Sequence, residues 1–84
     1  MMEDQPEPLA ALRVTIGARV LTRDEKGIGT VEEIRRQAFR VHVAWRPDFW
    51  LPLDIVEFAE PEQLVALRVA AADVGDYKME PPEG

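Results

Sequence analysis

The chain has 84 residues and a formal net charge of −6, and it contains no Cys, Ser or Asn. That composition excludes a disulfide framework, a thiolate metal site and nucleophilic catalysis by Ser or Cys. It leaves one small domain, which buries only about 60% of its chain surface and needs good packing or self-association to be stable. The charge is uneven: residues 1–12 carry three acids and no base, 13–58 eight bases and seven acids, and 59–84 two bases and six acids. A nearly neutral body with acidic ends lacks the basic excess of a nucleic-acid binder.

Residues 1–12 read as an acidic flexible leader, broken by Pro6 and Pro8, in which Leu9–Leu12 can form one helical turn. The leader has no apolar stretch of the kind a secretory signal needs. The longest apolar runs are of the size of Leu64–Leu67, too short to span a bilayer, so a cytoplasmic protein is expected. Residues 13–75 form the expected domain and 76–84 an acidic, proline-rich tail.

The organising stretch is Gly17–Ile34. Ala18–Thr22 is strand-capable, and Arg23-Asp24-Glu25-Lys26-Gly27 is the polar, glycine-ended cluster of a hairpin loop. Gly29, one residue after Ile28, predicts a bulge or sharp bend where the second strand begins. Arg35-Arg36-Gln37 is a polar break. Phe39, Val41, Val43 and Trp45 then alternate with Arg40, His42, Ala44 and Arg46, the pattern of a half-buried antiparallel strand with the aromatic and valine face inward.

Arg46-Pro47-Asp48-Phe49 predicts a β-turn with Pro at its second position. Trp50–Leu53 is a short strand whose Pro52 marks an edge, a bulge or an end, followed by a single 3₁₀ turn. Val56–Ala59 and Leu64–Val69 predict a further strand pair, with a helix over 61–74 as the rival reading, since Ala, Leu, Gln and Glu are good helix formers. Ala70–Val74 then forms a helical turn ended by Gly75. The sum is a mainly all-β domain, a small SH3-like β-barrel of five to six short antiparallel strands with a short C-terminal helical turn. The expected core is Val20, Ile28, Val31, Ile34, Val41, Val43, Trp45, Leu51, Leu53, Val56, Phe58, Val65 and Leu67.

The order of Ile16-Gly17-x-x-Val20, Lys26-Gly27-Ile28-Gly29-x-Val31-x-x-Ile34, Trp50-Leu51-Pro52-Leu53-x-x-Val56 and Val69 with Asp73-Val74 resembles the PRC-barrel superfamily over residues 14–78. The chain differs from many members in having Asp24-Glu25-Lys26-Gly27 in the turn and no long insert between the second and third strands. The resemblance implies a non-catalytic adaptor or assembly barrel and carries over no catalytic residue.

The residues themselves point the same way. His42 is the only histidine and falls on the outward phase of its strand, without the ligand set of a metal site. Glu32–Glu33 and Asp24–Glu25 are adjacent pairs, and neighbours on a strand point to opposite faces. Thr15, Thr22 and Thr30 are the only aliphatic hydroxyls, and Gly27-Ile28-Gly29 lacks the ending and the helix of a phosphate loop. Neither a metal nor another cofactor is expected, nor is an enzyme.

The candidate contact set is Trp50, Phe49, Arg46, Arg40, Arg36 and Arg35, a mixture of cationic and aromatic side chains, with Trp45 in the core and Phe49 and Trp50 on a rim. Aromatic and Arg residues are enriched at interface centres, so the leading expectation is a protein partner or self-association. The alternative is a nucleic-acid or ribosome-associated module using the Arg35–Arg46 face, against which stands the near-neutral charge of that stretch. Glu32, Glu33, Asp48 and Glu57 are placed to neutralise it.

Overall fold

The computed structural model describes residues 10–82. Of the expected leader, residues 1–9 lie outside the described residues, as do the last two residues of the tail. A helical turn at Ala10–Leu12 is closed by Arg13 N–H donating to Ala10 O (3.1 Å), and it buries Ala10 while Leu12 stays exposed. Six strands follow: β1 (Arg19–Leu21), β2 (Gly27–Arg35), β3 (Ala38–His42), β4 (Phe49–Pro52), β5 (Val56–Glu60) and β6 (Leu64–Leu67). A 3₁₀ turn at Leu53–Ile55 and a C-terminal 3₁₀ helix at Ala71–Tyr77 complete the element order. The fold is thus mainly β, as the strand patterns predict, and Leu64–Leu67 is a strand and not part of a helix. The C-terminal 3₁₀ helix runs through Gly75 to Tyr77, so Gly75 does not end it.

The strands form one sheet in the order β4-β3-β2-β1-β6-β5. Four of its pairings are antiparallel, but β1 and β6 run parallel, with Val20 opposite Val65. The expected all-antiparallel sheet fails at one connection. The Leu53–Ile55 turn steps the chain from β4 to β5 without reversing its direction, so β6 returns alongside β1 in the same sense. That turn also joins the two ends of the sheet order. Five strand spacings of a flat sheet measure roughly 24 Å, whereas three residues of 3₁₀ helix advance about 6 Å. The sheet is therefore coiled strongly on itself.

Bulges supply the curvature. The register slips by one residue at Ile28 against β1, at Glu32 against β3 and at Glu57 against β6, and each slip bends the strand and raises its twist. The first is the bend expected beside Gly29. There φ is +140°, and a Cβ would run into the His42 carbonyl oxygen and lie 2.7 Å from Val41 Cγ1. Only glycine fits that approach.

Val20, Val31, Val41, Leu51, Val56, Val65 and Leu67 are buried as expected, and Ile28, Val43 and Leu53 pack half-buried against them. Val14, Phe39, Ile55, Val69 and Val74 fill the rest with the small Ala10, Ala18 and Ala59. Three expected core residues are not there. Phe58 is 52% exposed because the Glu57 bulge shifts the alternation by one, and Ala59 takes the inward place. Ile34 pairs with Phe39 but sits one pair from the hairpin tip and is 37% exposed. Trp45 is 99% exposed, since β3 ends at His42, three residues before it.

Candidate functional site

Two surfaces flank β4, and a tryptophan stands at the centre of each. The first is the connection from β3 to β4, residues 43–48. Its turn falls earlier than Pro47 suggests: Arg46 N–H donates to Val43 O (3.3 Å), which puts Ala44 and Trp45 at the apex. Trp45 has φ +68°, the left-handed value that the third position of a type II turn demands and that glycine adopts best. A bulky residue there is strained by about 1–2 kcal/mol. Asp48 braces the loop from below. Its Oδ1 lies 2.9 Å from His42 Nδ1, and its Oδ2 lies 3.8 Å from Arg40 Nε. Because a carboxylate only accepts, this contact places a proton on His42 Nδ1. The second Asp48 contact is an ion pair too long for a hydrogen bond, and Arg40 Nε is otherwise buried without a partner.

Beside the turn runs an open groove of about 600 Å³, lined by Ile28, Val43, Arg46, Pro47, Phe49, Val74 and Lys78. Lys78 Nζ stands 4.3 Å from the centre of the Phe49 ring, a cation–π contact along the groove wall. Arg46 is exposed and Phe49 half-buried.

The second surface is the outer face of β2, β3 and β4. Residues directly opposite across a ladder share a face, and here Glu33 faces Arg40 and Arg40 faces Trp50. Glu33 Oε2 accepts from Arg35 Nη2 (2.7 Å) and Nε (3.1 Å), and Glu33 Oε1 lies 3.3 Å from Arg40. The Arg35 guanidinium also lies over the Trp50 ring, 5.0 Å from its centre, and Nη1 donates to Pro82 O (3.0 Å). Met79 N–H donates to Trp50 O (3.0 Å). Trp50 is only 6% exposed.

The two tryptophans have therefore exchanged the places that the alternation predicts. Trp45 is on the surface and Trp50 is covered, so Trp50 cannot serve as an open rim contact. Arg46 and Phe49 lie together at the first groove, and Arg35 and Arg40 are brought together at the second surface. Arg36, with φ +56°, sits at the β2–β3 hairpin tip, exposed and away from the first groove. Of the expected neutralising acids, Glu33 and Asp48 take the role. Sequence reasoning missed the part of Lys78, Met79 and Pro82, which come from the segment read as a tail. It missed Trp45 because the alternation continues past the residue where pairing stops.

Among the described residues no three His, Cys, Asp or Glu side chains converge as a metal site, and no helix is long and apolar enough to cross a membrane. Comparison with protein-family models, with curated proteins and with solved structures finds no match for this chain.

Proposed function

We propose that this chain is a non-enzymatic binding or assembly module, a small SH3-like barrel of the PRC-barrel kind, whose contact with a protein partner or a second copy centres on Trp45. One observation carries the reading. A tryptophan is 99% exposed at the apex of a turn, in a backbone conformation it adopts only under strain. Exposing that much apolar surface is unfavourable for the isolated chain, and a held, strained residue is a common mark of a working site. Trp and Arg dominate the energetic centres of interfaces, and Arg46 follows Trp45 directly.

The Arg35–Arg46 face supports a nucleic-acid role less well. Arg35 and Arg40 both lie within ion-pair distance of Glu33, and phosphate binding needs a surplus of free cations.

The test compares pull-downs by the tagged full chain and by its Trp45→Ala and Phe58→Ala variants, each with and without nuclease. Sedimentation of the purified chains reads self-association. Trp45→Ala should lose the partner, or the self-association, while keeping a cooperative fold, and Phe58→Ala should retain it. Partners kept by Trp45→Ala, or partners that vanish with nuclease, would overturn the proposal.

A further inference from the structure

The register of β4 against β3 places Trp50 opposite Arg40 on the outer face, while its neighbour Leu51 sits opposite Phe39 in the core. An outer-face tryptophan 6% exposed must have a cover: Arg35 lies over its ring, and residues 78–82 run beside it. Met79 forms a single antiparallel bridge with Trp50 at the sheet edge, and Pro82 O takes the Arg35 hydrogen bond. The cover is extended. Lys78 has φ −64° and ψ 140°, polyproline II values. Glu80 and Pro81 each precede a proline, which restricts them to the same region.

We propose that the outer face around Trp50 and Arg35 is a docking site for an extended, acidic, proline-containing segment of a partner protein, occupied in the isolated chain by residues 78–82. Two of the contacts that hold the cover read its backbone: Trp50 O takes a main-chain N–H, and Arg35 gives to a main-chain carbonyl. Strand addition and proline-rich recognition both work this way, with main-chain bonds over an aromatic floor. A foreign segment following the same path satisfies the same donor and acceptor. The resident segment also sets the expected composition, since Asp76, Glu80 and Glu83 surround its prolines in the sequence.

Lys78, Met79, Glu80 and Pro81 are exposed on their outer side, so a foreign segment can replace them only by shielding the Trp50 ring in their place. As a tethered occupant, the tail competes at an effective concentration on the order of millimolar. It therefore sets a threshold that an incoming segment must exceed. Lys78 borders both this site and the groove beside the Trp45 turn, but the proposal does not rest on the reading of Trp45.

The experiment titrates a labelled synthetic peptide of residues 76–84 into the full chain and into its Met79→Pro variant, which loses the bridging N–H. The two tryptophan indole N–H signals are followed by NMR. Met79→Pro should bind the peptide about tenfold more tightly than the wild type, whose site must first shed its tail. The Trp50 signal should move and the Trp45 signal should not. The same peptide carrying Met79→Pro should not bind. A second full chain, with residues 79–82 all replaced by Gly, guards against a first variant that fails to fold or to release its tail. If neither chain binds the peptide better than the wild type does, the proposal is wrong. A wild-type dimer that Met79→Pro abolishes would instead identify the occupant as a second copy's tail, overturning the assignment to a foreign segment.

Discussion

Trp45 and Trp50 lie five positions apart on either side of one loop, yet one is almost wholly in water and the other almost wholly out of it. Neither place follows from the residue. Trp45 is outside because β3 stops pairing at His42 and the chain turns before the alternation can carry the ring inward. Trp50 points to the outer face, where Arg35 lies over its ring and the C-terminal segment runs beside it. Period-two patterning specifies which residues share a phase. It is silent on where a strand ends and on what later covers its back.

The largest expected effect tests whether burial separates the two rings. Trp50→Ala should destabilise the fold by about 3–5 kcal/mol, the usual range for deleting a buried large aromatic. Trp45→Ala should stay within about 0.5 kcal/mol of wild type, as exposed substitutions do. Urea unfolding of both variants reads the difference, and equal losses would break the contrast.

A smaller effect separates the Trp45 side chain from its backbone. Glycine relieves the left-handed strain that any L-residue carries at φ +68°. Trp45→Gly should therefore be more stable than Trp45→Ala by about 1 kcal/mol. A tie would mean that the turn relaxes once the ring is gone, so that the ring itself imposes the conformation.

Smaller again is the effect of releasing the cover. Arg35→Gln removes the guanidinium from above Trp50 and weakens the hold on Pro82. An exposed cation–π contact contributes about 0.5–1 kcal/mol, so the global loss should not exceed that range. Quenching of Trp50 fluorescence by acrylamide in a Trp45→Phe background should nevertheless rise clearly. Unchanged quenching would show that Met79 and its neighbours cover the ring without Arg35.

How much of this was legible beforehand follows the same division. The Gly17–Ile34 hairpin was readable because its determinants are local: a polar loop ending in Gly27, and Gly29 where no Cβ fits. The inward valines of β2, β3 and β6 were readable from alternation. Phe58 was misplaced by a one-residue bulge at Glu57, for which charge and hydropathy give no sign. The parallel β1–β6 pairing depends on a three-residue 3₁₀ turn whose direction no residue type fixes. Within the candidate site, Phe49 and Arg46 line one groove. The roles of the two tryptophans were reversed because contacts from Met79 and Pro82 are long-range, and composition alone marks that segment as a tail.

The smallest effect concerns how the cover is tethered. The Thr22 hydroxyl donates to Asp24 Oδ1 (2.5 Å), and Ala71 N–H, at the start of the helix leading to the cover, donates to the same oxygen (3.0 Å). These two bonds, the Thr22 hydroxyl foremost, hold the Asp24 carboxyl below its ordinary value of 3.8. A depressed carboxyl contributes stability that is present above its unfolded value and lost as pH falls through the folded one. The tether should therefore be intact at neutral pH and loosen only below about pH 4, where an ordinary Asp itself protonates. Asp24 is at the surface, so the change in global stability should be slight. The Trp50 indole signal should shift across that window and the Trp45 signal should not. Asp24→Asn, which cannot titrate, should flatten the dependence. A shift that persists in Asp24→Asn would mean that some other carboxyl governs the cover, and that the helix start is not its anchor.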